Sequence, residues 1–139
     1  MLQHNRWIIA VMLAALALAG CSKAPAKVAA VKPATLEATQ DAAIKRITLT
    51  ERAEQRLGIE FGEMTGAGQR LEAPYSALFY DASGGEWVYT SPKPQVFERA
   101  GIKIIRIEGD KMYLSQGPVA GTKVVTAGAA LLFGAETGL

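Results

Sequence analysis

The sequence predicts a mainly β protein, a small antiparallel barrel or sandwich carrying one short helix. Two observations predict it. Short apolar runs rich in Val, Ile, Tyr and Trp recur along the C-terminal two thirds, each bounded by Gly or Pro. The stretch Gly117 to Gly128 shows the pattern most plainly, because Gly117-Pro118 and Gly121 read as turns around the β-branched run Thr122 to Thr126. Adjacent Val124 and Val125 suit a strand covered on both faces.

Taken in order, Arg46-Ile47-Thr48-Leu49 alternates and reads as a strand. Thr50 is placed to cap a helix over Glu51 to Leu57, with Glu51 and Glu54 in its first turn and Gly58 as its stop. Ile59 to Met64 reads as a strand, Thr65 to Gly68 as a loop, and Gln69 to Ala73 as a strand that Pro74 ends or holds at an edge. Ser76 to Asp81 leads into the Gly84-Gly85 turn, and Glu86 to Ser91 answers it as a hairpin partner. Pro92-Lys93-Pro94 breaks the chain. Strands then follow over Gln95 to Arg99, Ile102 to Ile107 and Lys111 to Ser115, the last two joined by a tight turn at Glu108-Gly109-Asp110. That makes about eight strands. Trp87, Tyr89, Phe97 and Tyr113 are expected in core or cross-strand packing.

The chain has 139 residues, enough for one domain, with 50% hydrophobic and 20% charged residues. Lys and Arg number 15 against 13 Asp and Glu, and no basic tract stands out, which argues against nucleic acid as a partner.

The N-terminus has a separate role. Arg6 precedes an apolar run of 13 residues, Trp7 to Ala19, shorter than the ~20 that a spanning helix needs and typical of a signal peptide. Leu18-Ala19-Gly20-Cys21 resembles the lipobox of bacterial lipoproteins. The resemblance implies cleavage before Cys21, with Leu18, Ala19 and Gly20 recognised by the peptidase, and a diacylglycerol on the Cys21 thiol with a further acyl chain on its amine. Several chains give stable membrane anchoring where one would not. Ser22, in place of the Asp that retains enterobacterial lipoproteins at the inner membrane, implies the outer membrane. Residues 1–20 are therefore expected to be the signal, and residues 21–44 the lipidated N-terminus with a flexible linker of Ala, Lys and Pro. A short helix at Ala34 to Ala43 is the alternative within that linker. Residues 45–139 are expected to form the β domain.

Read together, the C-terminal half carries Pro74-Tyr75-Ser76-Ala77, then Trp87-Val88-Tyr89, then Phe97-Glu98-Arg99, then Gly117 to Gly128 with Val124-Val125 inside it. Ala129-Ala130-Leu131-Leu132-Phe133-Gly134-Ala135-Glu136 closes the series. In order and spacing this resembles the membrane-proximal β domain of periplasmic adaptors, the membrane fusion proteins of RND-type efflux pumps. Leu49-Thr50, Ala53 and Leu57-Gly58-Ile59 also resemble the entry to that domain. The resemblance covers about Ile47 to Glu136. It implies structural roles for Pro74, Ala77, Val88, Tyr89, Phe97, Arg99, Gly117, Gly121, Val124, Val125 and Gly128. The lipoyl-like domain and long helical hairpin of a full adaptor have no counterpart here. A docking role on a transporter or a fuller adaptor is implied, in the periplasm.

Catalytic chemistry has few candidates. His4, the sole histidine, lies in the signal peptide, and Cys21 is the sole cysteine, so Ser-His and Cys-His systems and His or Cys metal sites are not expected. Glu60 with Glu63, and Glu108 with Asp110, read as solvated surface. Met64 and Met112 do not make a methionine cluster. No enzyme activity, cofactor or metal is expected. Two functions remain: docking in an efflux or export assembly, or a stand-alone structural or ligand-binding lipoprotein. A bare sheet edge or apolar patch would favour the first, and a groove lined by apolar or aromatic residues the second.

Overall fold

Val124 and Val125 are both fully buried, yet they enter different hydrophobic clusters. Val88 and Tyr89 do the same one strand away. Successive side chains on a strand point to opposite faces, so these two strands lie between two cores. The expectation of a strand covered on both faces is met.

The computed structural model describes residues 31–67 and 70–138. In chain order the elements are β1 (Ala34–Ala38), β2 (Lys45–Leu49), α1 (Glu51–Leu57), β3 (Glu60–Glu63), β4 (Thr65–Ala67) and β5 (Arg70–Pro74). Then come β6 (Phe79–Tyr80), β7 (Glu86–Lys93), β8 (Val96–Gly101), β9 (Lys103–Glu108), β10 (Lys111–Gln116), β11 (Lys123–Ala127) and α2 (Ala129–Thr137). The larger sheet has the order β1-β2-β8-β7-β11-β3, with β6 paired to β7, and the smaller has β4-β5-β10-β9. Every pairing is antiparallel. Neither sheet closes on itself, so of the two expected architectures the sandwich-like one is realised.

One core lies between the larger sheet and the helices, where Ile47, Phe97 and Val125 meet Ala53 of α1 and Leu132 of α2. The other gathers Val88 and Val124 of the larger sheet with Ala73, Met112 and Leu114 of the smaller. Met64 and Met112 both sit in this second core, as packing residues.

Local chemistry sets the junctions. The Thr50 Oγ1 accepts from the Ala53 N–H at 3.2 Å, and Gly58 ends α1 in the left-handed region at φ 60°. The chain crosses from the larger sheet to the smaller at Met64. There the Met64 N–H donates to the Thr122 carbonyl at 2.9 Å, and the Gly121 N–H donates to the Met64 carbonyl at 2.8 Å. Gly121 makes this corner with φ 85°, which an L side chain would strain.

Several elements depart from expectation. Residues 34–38, assigned to the linker or to a short helix, form β1, and the folded unit begins at Lys32, not residue 45. The strand forms because β2 offers it a backbone ladder, Ala34 opposite Leu49 through Ala38 opposite Lys45. Its side chains are mostly exposed, so apolar patterning gives no sign of it. Residues 65–67 pair as β4 with β5 instead of looping. The β7 strand continues through Pro92 to Lys93, because the ladder is irregular between Thr90 and Lys93 and does not need the missing N–H. Residues 75–77 form one turn of 3-10 helix, leaving only Phe79 and Tyr80 as β6. Residues 129–137 are a second helix, where one was expected.

Candidate docking surface

The residues singled out by the adaptor resemblance become the frame of the domain. Pro74 ends β5, and Ala77 is fully buried in the turn that follows. Val88, Tyr89, Phe97, Val124 and Val125 are all fully buried. Gly117 faces Leu114 and Ile102, and an added Cβ there would lie 3.3 Å from Leu114. Gly128 opens α2 at φ 88°, where a Cβ would strike the Ile59 side chain. Leu18, Ala19, Gly20 and Cys21 lie outside the described residues.

Tyr89 and Arg99 are brought together by a residue with no assigned role, Glu136. It lies in the last turn of α2 and is 2% exposed. Its Oε2 accepts from the Tyr89 hydroxyl at 2.5 Å, and its Oε1 accepts from the Lys45 backbone N–H at 3.0 Å. The Arg99 Nε stands 3.0 Å from Oε1, an ion pair in which the buried N–H is not aligned for a hydrogen bond. Arg99 also donates through Nη2 to the Ala43 carbonyl and lies over Trp87 at 4.5 Å. Burial, with the hydrogen bond to Glu136, pushes the Tyr89 phenol above its ordinary pKa. A buried carboxylate with this many partners pins α2 to the start of β2 and to β7 and β8. Sequence offered one hint, a single acid behind the apolar Leu131-Leu132-Phe133.

The β6–β7 hairpin is held by Asp81, which accepts from the Gly85 N–H at 2.8 Å, the Trp87 Nε1 at 2.9 Å and the Ser83 N–H at 2.9 Å. The Gly85 hydrogen bond leads in drawing the Asp81 pKa down, followed by that from Trp87.

The clefts among the described residues include two. One of about 590 Å³ is lined by Ala38, Thr39, Gln40, Asp41, Arg46 and Glu98. The other, about 180 Å³, is bordered by Glu63, Glu72, Asp110 and Lys111 among others. Both are lined mainly by polar and charged side chains. Glu60, Glu63, Glu108 and Asp110 are exposed, as expected for solvated carboxylates.

Exposed apolar side chains are scattered, Val119, Tyr80, Leu131 and Tyr75 among them, and two fall together on β9. This strand is one of the two edges of the smaller sheet, β4 being the other, and pairs on one side only, with β10. Ile105 is 59% exposed and Ile107 42% exposed. Arg106 lies across the Tyr113 ring at 3.9 Å and pairs with Glu108 at 2.7 Å. A strand edge with free N–H and C=O groups and apolar side chains invites another strand.

Among the described residues, no group of three His, Cys, Asp or Glu could hold a metal ion, and no helix is long and apolar enough to cross a membrane. No protein-family model matches the chain, and neither a curated protein nor a solved structure gives a match.

Proposed function

We propose that this chain is a lipid-anchored docking module of the bacterial cell envelope, held at a membrane through acyl chains on Cys21, with the outer membrane favoured. Its β domain engages a transporter or a fuller adaptor of an efflux or export assembly and carries out no catalysis. The observation that supports this reading most is the bare β9 edge with Ile105 and Ile107 exposed on it. The ordered set of residues resembling the membrane-proximal adaptor domain supports the kind of assembly.

Affinity isolation of the tagged chain from solubilised membranes tests the proposal. The chain is expected to bring down a component of an export or efflux system. A variant with Ile105→Lys and Ile107→Lys should lose it while unfolding at the same temperature as the parent. Equal recovery by both chains, or recovery of cell-wall proteins alone, would refute the docking role.

A further inference from the structure

The β9 edge is complementary to itself. Resting on the docking reading above, in which the export component meets the Ile105 and Ile107 side chains, we infer that the free backbone edge of β9 is taken by a second copy of this chain, with the two β9 strands pairing antiparallel about a two-fold axis. Lys103 then lies opposite the partner's Glu108, and Ile104 opposite the partner's Ile107.

The register follows from an irregularity in the strand. Ile107 lies opposite Met112 and Ile104 opposite Leu114. Met112 and Leu114 are fully buried, so Ile104 and Ile107 share the core-side face although they are three residues apart. In a regular strand, residues three apart take opposite faces. Here the ladder shifts between Tyr113 and Leu114, leaving Ile105 as an extra residue that restores the face. Arg106, opposite Tyr113, lies on the outer face. Glu108, next to Ile107, takes that outer face too, and so does Lys103, which lies opposite the exposed Gln116 where a second shift leaves Ser115 extra on β10.

Two-fold pairing of a strand with its own copy must match residues that share a face. Setting Ile104 against the partner's Ile107 does so, and it also sets Lys103 against the partner's Glu108, giving two opposite-charge pairs per dimer. A slip of one residue places core-side Ile104 against outer-face Arg106 or Glu108. A slip of two either opposes Lys103 to Arg106, which repel, or sets outer-face Arg106 against core-side Ile107. A register centred on Ile107 also matches faces and sets Arg106 against the partner's Glu108, but it pairs only three residues; the Lys103–Glu108 register alone pairs all six residues of the strand while matching faces and charges. The existing Arg106–Glu108 pair does not prevent it, because both side chains are more than half exposed, 52% and 59%, and such pairs rearrange at little cost. A single strand pair covers less than the standard interface of ~1,600 Å², so the dimer is weak in solution, and tethering at one membrane raises its effective concentration.

Sedimentation equilibrium of the full chain in detergent, from about 1 to 300 μM, tests the inference at concentrations suited to a weak contact. A reversible monomer–dimer equilibrium is expected. Lys103→Glu and Glu108→Lys should each weaken it about tenfold, since either change acts on two pairs. The double variant carrying both should regain the parental affinity. A chain monomeric throughout, or a double variant that stays as weak as the singles, overturns the inference. If dimerisation fails while the export component is still recovered through Ile105 and Ile107, only the second copy is refuted. If the dimer persists and that component is never recovered, the proposed function fails instead.

Discussion

The Tyr89 hydroxyl and the Glu136 carboxylate, 47 residues apart in sequence, meet at 2.5 Å in the interior. That contact fastens the C-terminal helix to the middle of the larger sheet. Removing Glu136 would leave the largely buried Arg99 without its carboxylate. Glu136→Ala is therefore expected to destabilise the fold by about 3 kcal/mol. Tyr89→Phe should cost less, about 1–2 kcal/mol, because the carboxylate keeps Arg99 and the Lys45 N–H. Urea denaturation of the three chains checks the order; an equal or reversed order would show that the ion pair is not the main tie.

The same phenol gives a pH signature. Its pKa in the folded state is raised, so above the ordinary Tyr value of about 10 the unfolded chain loses a proton that the folded chain keeps. The stabilising contribution is complete below that value and declines as pH rises past it, by at most ~1.4 kcal/mol per pH unit. Between pH 9 and 11 the parent should lose more stability than Tyr89→Phe. Parallel losses would contradict the assignment.

At the acid end, Asp81 has the opposite sign. Its lowered pKa means that its support for the β6–β7 hairpin is present above the ordinary Asp value and fades as pH falls through the folded-state value. The Trp87 indole N–H resonance should move with that titration in the parent. In Asp81→Asn the movement should vanish.

Gly128 and Gly109 separate backbone strain from packing. Both have positive φ, but only at Gly128 would a Cβ meet a neighbour, Ile59. Gly109→Ala is expected to cost about 1 kcal/mol and Gly128→Ala at least twice that, read from thermal unfolding.

What was legible in the sequence was local. The Thr50 cap, the Gly58 stop, the Gly109 turn and the paired burial of Val124 and Val125 each depend on a few neighbouring residues. What was not legible depends on partners far along the chain. β1 exists because β2 supplies a ladder, and its exposed Thr35, Leu36 and Glu37 show no apolar alternation. Glu136 looks like an ordinary helix-surface acid until Lys45, Tyr89 and Arg99 surround it. The extra residue at Ile105 is set by β10 and cannot be read from Lys103 to Glu108 alone. The resemblance to adaptor domains named residues that became the frame, while the exposed edge that carries the proposed role lay outside its motifs.

Anchoring has its own test. Cys21→Ser should leave the chain as an uncleaved precursor or release it from membranes on fractionation. A mature-sized, membrane-bound variant would refute lipidation at Cys21.

The most direct test of the docking role is photo-crosslinking in intact cells from position 105, with a control probe at the exposed Glu51 on α1. Adducts from 105, absent from 51, should contain a component of an export assembly and, for the paired edge, the chain itself. No adduct from 105, or the same products from both positions, would contradict the account.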